Sequence, residues 1–299
     1  MKNTVAMMTA AMMVAGTLAG CGSSNTAPAA TTAATEAASE KETTAAATEA
    51  ASEAGDTGSA AASGDIQTPS GKFTVGFDQE FPPMGFVGDD GQFTGFDLDL
   101  AKEVASRLGL EFVPQPINWD AKDMELDSGN IDCIWNGFTM QGREDAYTWV
   151  GPYMANNQVF VVNADSAIAS KTDLAGKAVE VQKDSSGLAA LQDDADLSAS
   201  FGSLTEVADY NTALMDLESG ACDAVCMDSI VAGYQIKSSG KNMKILDDTL
   251  SAEEYGIGFK KGEDELAKAV HDTLMDMKDD GTVAKISNDW FGSDVFTLK

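Results

Sequence analysis

Arg143 is one of two arginines in a chain of 299 residues, and it sits in the segment NGFTMQGRED, residues 136–145. The formal net charge is −29, and apart from Arg107 every other strong base is a lysine. A guanidinium differs from an ammonium in its rigid planar fork, which can hold a carboxylate or a phosphate through two parallel hydrogen bonds. The alternative use of Arg143 is an ion pair with Glu144 or Asp145 on a solvated loop. A second anion-friendly stretch runs from Gln182 through Ser185 and Ser186, after one apolar run and at the start of a helical one. Amides and hydroxyls at a helix start favour negative charge. Zinc is not expected, because Cys222-x3-Cys226 lacks ligand spacing and His271 is the only histidine. Cys133 and Cys226 lie in apolar runs, where a thiol serves as a small hydrophobe.

The elements that must position these residues begin near residue 72. Short apolar runs alternate with helical periods, the signature of an α/β protein. KFTVGF, EFVPQP, IDCIW and NQVFVVN (157–163) read as strands; the residues from Phe96 to Leu108 read as a helix capped by Asp97, and AKDMELDSG as one ending at Gly129. A second series follows: strands KAVEVQ, LTEVA and DAVCM alternate with helices SSGLAALQDD, YNTALMDLESG and DSIVAGYQIK. Strands MKIL and YGIGFK and two closing helices complete the pattern. In such sheets ligands bind beyond the carboxyl ends of strands, where loops enter helices.

Residues 1–20 are set apart. Met1-Lys2-Asn3 is a short charged start, and the apolar run after it ends in Leu18-Ala19-Gly20-Cys21, which resembles a bacterial lipobox. The expectation is a signal peptide over 1–20, cleavage before Cys21 and a lipid on its sulfur. A lipid would tether the protein to the cell membrane without a transmembrane helix. Residues 21–70, rich in Ala, Thr, Glu and Ser with no aromatic, read as a disordered tether, of the kind Gram-positive surface lipoproteins carry. That tether holds only seven acids and one lysine past Cys21, so most of the negative charge belongs to the folded part. So acidic a surface excludes nucleic acid and anionic lipid as partners.

GFDLDLAKEVASRLGL (95–110) resembles the signature of the amino-acid-binding family of bacterial extracellular solute-binding proteins. VGFDQEFPPMGF, LDSGNIDCIWNGFT, VGPYMANNQVFVV, LESGACDAVCMD, EEYGIGFKKGEDEL and DGTVAKISNDWFG are similar to that family in the same order. The likeness implies a two-lobe periplasmic-binding-protein-like (type II) α/β fold with two hinge-crossing strands. Lobe 1 would be 71–158 plus 254–299, and lobe 2 159–253. It also implies binding without chemistry, no cofactor, a monomer, and delivery of an amino acid to an ABC permease and its ATPase.

The resemblance further implies a pocket. Arg143, following Gly137-Phe138-Thr139, would take the ligand carboxylate together with the Thr139 amide. The Gly137 carbonyl and Thr139 hydroxyl would take the ammonium, with Asp228 after the strand AVCM; helix capping is the alternative for Asp228. Asp78 would face the ligand's side chain or amine, Phe81 and Trp119 would sandwich it, and Asn136 and Trp135 would be wall residues. Gln182, Ser185 and Ser186 complete the set. Asp97 and Asp99 read as helix-start residues favoured by the dipole. The chain departs from the family in one respect: only MQG separates Thr139 from Arg143, one residue short, which would rotate a helical start by roughly a third of a turn. Gly142 is therefore expected to reshape the loop. With Asp78, Glu80 and Asp120 nearby and Lys183 the one extra cation, a neutral polar or basic amino acid is favoured over an acidic one. The rival is a cyclohexadienyl dehydratase-like enzyme on the same fold, for which Glu80 or Asp120 would have to serve as general acid.

Overall fold

The computed structural model describes Thr68 and residues 70–299. The expected signal peptide, the lipid site at Cys21 and nearly all of the tether lie outside the described residues. Among the described residues no helix is long and apolar enough to cross a membrane.

Strand β1 (Lys72–Phe77) is followed by three short strands, β2 (Glu80–Phe81), β3 (Gly85–Val87) and β4 (Phe93–Thr94), which form their own small antiparallel sheet. Helix α1 (Phe96–Leu108) buries Leu98, Leu100, Ala101, Val104 and Ala105 against the main sheet and stops at Gly109, which is left-handed. Strand β5 (Glu111–Pro116), helix α2 (Lys122–Asp127) and strand β6 (Cys133–Thr139) come next, with a 3-10 turn at Trp119–Ala121. Every residue of β6 is buried. Such a run has no solvent face, which is why it reads as continuous apolar sequence.

Strand β7 spans Tyr147–Asn163, 17 residues, where the sequence marks only 157–163. After it come β8 (Ala178–Gln182), α3 (Ser186–Asp193), α4 (Ala195–Ser200), β9 (Ser203–Val207), α5 (Tyr210–Ser219), β10 (Ala224–Asp228) and α6 (Ser229–Ser239). Strand β11 runs unbroken from Met243 to Lys260, joining the two strands expected there, and α7 (Asp264–Asp279) and α8 (Thr282–Phe291) close the chain.

The main sheet has the order β5-β1-β6-β11-β7-β10-β8-β9. Its flanks are parallel, β5-β1-β6 on one side and β10-β8-β9 on the other. The long strands β7 and β11 pair antiparallel along their length and join the flanks. Their register places Asn156 opposite Glu253, and β10 places Asp228 opposite Gln158. Polar residues are thus stacked at the middle of the crossing, and the carboxyl ends of β1, β6, β8 and β10 converge on it.

Candidate binding site

Gly137 and Thr139 end strand β6. Gly137 has φ 57°, and a Cβ there would stand 2.9 Å from Phe81 and 3.1 Å from Tyr255. Its N–H donates to Asp97 Oδ2 at 2.7 Å, and the Tyr153 hydroxyl donates to the same oxygen at 2.8 Å. Asp97 therefore does not cap α1, whose N-cap is Gly95 without a side-chain bond. It stands in the first turn as expected, but its side chain turns inward and fixes the backbone of the site. Burial pushes its carboxyl up to about 7 against the bonds from Tyr153 and Gly137. Asp99 instead accepts from Trp290 Nε1 at 2.8 Å.

Gly142 is left-handed, φ 78°, and the chain turns without a helix, the Arg143 N–H donating to the Met140 carbonyl. Arg143 is half-buried, its guanidinium 5.2 Å from the centre of the Phe138 ring. It donates to two carbonyls, Thr139 at 3.2 Å and Asp184 at 3.3 Å. Among the described residues it pairs with no carboxylate; neither Glu144 nor Asp145 is its partner, whereas Arg107 is taken by Glu103 and Asp280.

Asp228 ends β10, is 3% exposed, and caps nothing: helix α6 has no side-chain bond from it. Its Oδ1 accepts from Asn156 Nδ2 and the Tyr255 hydroxyl, each at 2.6 Å, and Oδ2 from the Tyr210 hydroxyl at 3.0 Å. No cation reaches it among the described residues. Burial, and after it the charge of Glu253, raise its proton affinity well above the usual carboxylate range.

Phe81, Trp119, Gly137, Thr139, Arg143, Gln182, Ser185, Ser186 and Asp228 line one tight pocket, whose cavity volume is only about 10 Å³ with the two flanks as they stand. Phe81 packs on Tyr210, and Trp119 meets Phe138 edge-on. Ser185 caps α3 by accepting from the Leu188 N–H, and the Thr139 hydroxyl donates to Ser186 Oγ at 3.2 Å. Asp78 and Asn136 stand outside this lining. Asn136 Oδ1 accepts from the Asp78 N–H, so its side chain braces β1 instead of forming a wall. Asp78 accepts from Gln182 Nε2 at 2.7 Å and borders a wider cleft of about 820 Å³ with Glu80, Asp120, Glu206, Asp209 and Lys183. Burial pushes the Asp78 carboxyl up to about 6. Trp135 is buried and its Nε1 has no partner; it is not part of either lining.

The two flanks meet across the site through polar bonds. Lys183 pairs with Asp120 at 2.6 Å, fully buried Lys122 pairs with Asp184, and Asn211 donates to Glu80. Sequence reasoning missed Lys122, Tyr210, Tyr255 and the polar stack Asn156, Gln158 and Glu253. The available signal was NNQ and EE standing inside otherwise apolar strand sequence.

The sequence profile of bacterial extracellular solute-binding proteins, family 3, matches residues 73–293. An L-cystine-binding protein of Escherichia coli, TcyJ, is 32% identical over 231 residues, 75% of this chain and 84% of that protein. The arginine-binding extracellular protein ArtP of Bacillus subtilis is 29% identical, covering 78% and 92% respectively. In three dimensions the chain is similar to an ABC uptake transporter substrate-binding protein from Streptococcus pneumoniae solved with bound histidine. The TM-score is 0.74 at 33% identity, over 77% of this chain and 96% of that one. With the matched profile spanning the sheet, both long crossing strands and every residue of the cavity, the chain belongs to the bacterial extracellular solute-binding proteins, family 3.

Proposed function

We propose that this protein captures one free polar amino acid, neutral or basic, in the cavity around Arg143 and Asp228 and delivers it to an ABC permease driven by its ATPase. One observation carries the reading. A guanidinium without a carboxylate partner and a carboxylate without a cation line the same cavity. A buried carboxyl ionises readily only beside a counter-charge, and a guanidinium holding two carbonyls bonds a carboxylate more strongly. The α-carboxylate and α-ammonium of an amino acid supply both at once, the first on Arg143 with Thr139 and the second on Asp228. The side chain then lies between Phe81 and Trp119. Toward it stand Asp78, Glu80, Glu206 and Asp209, while Lys183 is already paired with Asp120; an acidic side chain is disfavoured there. Relatives named for cystine, arginine and histidine agree with that preference.

On this reading the lobes are 71–158 plus 254–299 and 159–253, hinged where β7 and β11 cross, and a monomer is held at the cell membrane by lipid on Cys21, on a Gram-positive surface. The test is thermal unfolding with each of the twenty amino acids, cystine and ornithine. A ligand at a hundred times its Kd stabilises by about 2.7 kcal/mol, a shift of roughly 5–10 °C for a domain of this size. No shift with any of them at millimolar concentration rules the reading out.

A further inference from the structure

The crossing strands hold an acid outside the cavity lining. Glu253 on β11 is 5% exposed, and its Oε1 accepts from Asn156 Nδ2 at 2.6 Å and Gln158 Nε2 at 2.9 Å. Asp228 accepts from the same Asn156 nitrogen, so one amide bridges the two carboxyls. That amide cannot turn over. Its Oδ1 accepts from the Ser229 hydroxyl at 3.0 Å and the Ile230 N–H at 3.3 Å, which directs both N–H groups at the acids.

The other groups facing Asp228 are the Tyr210 and Tyr255 hydroxyls and the Cys226 thiol, all pushed upward by burial and therefore neutral near pH 7. Arg143 lines the cavity from the opposite flank. No lysine, arginine or histidine forms an ion pair with Asp228 or Glu253 among the described residues. An ionised Asp228 would stand buried beside the Glu253 charge with no cation to offset it, so Asp228 holds its proton more firmly than an ordinary carboxyl.

We infer, on the reading that Asp228 receives the ligand's ammonium, that Glu253 keeps a proton on Asp228 while the cavity is empty, and that capture of an amino acid expels this proton. The ammonium retains its own three protons and the O–H bond of Asp228 breaks. The proton passes to solvent, and the new carboxylate accepts from the ammonium. Glu253 is a positioning residue here: it acts through Asp228 and sets how firmly the proton is held. Affinity then tightens as pH rises through neutrality, up to tenfold per unit, for as long as the empty site is protonated.

The experiment is calorimetric titration at about pH 7 with L-arginine, L-glutamine and L-cystine, repeated in buffers of different ionisation enthalpy. The wild-type protein is expected to release close to one proton per amino acid bound. Glu253→Gln keeps an oxygen for both amides, and it should release less than half as much and bind with little change between about pH 6 and pH 8. Because Asp78 lies beyond Gln182, a proton from Asp78 would survive that substitution unchanged. Binding without proton release in the wild type overturns the inference and leaves amino-acid capture standing. Release that Glu253→Gln does not reduce also overturns it. Heat from none of the three, together with no thermal shift in the wider screen, overturns both. Should the variant fold poorly, as its ligand-free melting temperature would reveal, Asp78→Asn decides instead: proton release must survive that substitution, and its loss overturns the inference.

Discussion

Asp97→Asn is expected to change the pH dependence of stability in a calculable way. Asp97 is fully buried, and its carboxyl is pushed from the usual 3.8 up to about 7 because burial outweighs the bonds from Tyr153 and Gly137. Its second oxygen has no partner. The folded state thus binds the proton more tightly than the unfolded state. This group's stabilising contribution is complete below 3.8 and is lost as pH rises toward 7. Between about pH 5 and pH 8 the loss is roughly 2–3 kcal/mol, two units at 1.36 kcal/mol each. Asparagine retains an acceptor for both donors but has no proton to lose. Its cost relative to wild type should therefore shrink by about that amount at the higher pH, or become a gain. The assay is urea unfolding of both ligand-free proteins at the two pH values, read as a difference of differences so that all other titrations cancel. An identical difference at both values would refute the reasoning and show Asp97 ionised throughout.

Arg143→Lys keeps the charge but removes the fork, and should weaken binding ten- to hundredfold, about 1.5–3 kcal/mol by calorimetry, with the melting temperature of the empty protein unchanged. Gly137→Ala places a Cβ 2.9 Å from Phe81 at φ 57°. It should cost about 1–2 kcal/mol of backbone strain before any displacement of the ring, seen as a lower melting temperature together with more than tenfold weaker binding. Cys21→Ala should move the protein made in its native cell type from the detergent phase to the aqueous phase on partitioning, since one lipidated cysteine is the proposed anchor; retention in the detergent phase would contradict it.

Strand ends were the legible part of the site. Thr139, Gln182 and Asp228 each close an apolar run, and a change from apolar to polar residues marks the carboxyl end of a buried strand whatever its neighbours are. Residues whose roles depend on distant pairing were not legible. Glu253 meets Asn156 only through the register of β7 with β11, nearly a hundred residues apart in sequence. Asp97 carries the local marks of a helix start, while its partner Gly137 lies forty residues on. Asn136 sits among true lining residues in sequence, yet strand alternation turns it away to brace Asp78. The merging of two expected strands into β11 was equally hidden. Asp247 and Asp248 interrupt the apolar pattern, and a register shift between Ile245 and Thr249 accommodates them within one strand.

The central claim is that the cavity recognises both charged ends of a free amino acid. Its most direct measurement is the affinity for the best-binding amino acid set beside that for its carboxamide and its N-acetyl derivative. Arg143 and Asp228 each lack any other counter-charge among the described residues, so both derivatives should bind at least a hundredfold more weakly, about 2.7 kcal/mol or more. Retention of near-full affinity by either derivative would contradict the assignment of the corresponding residue.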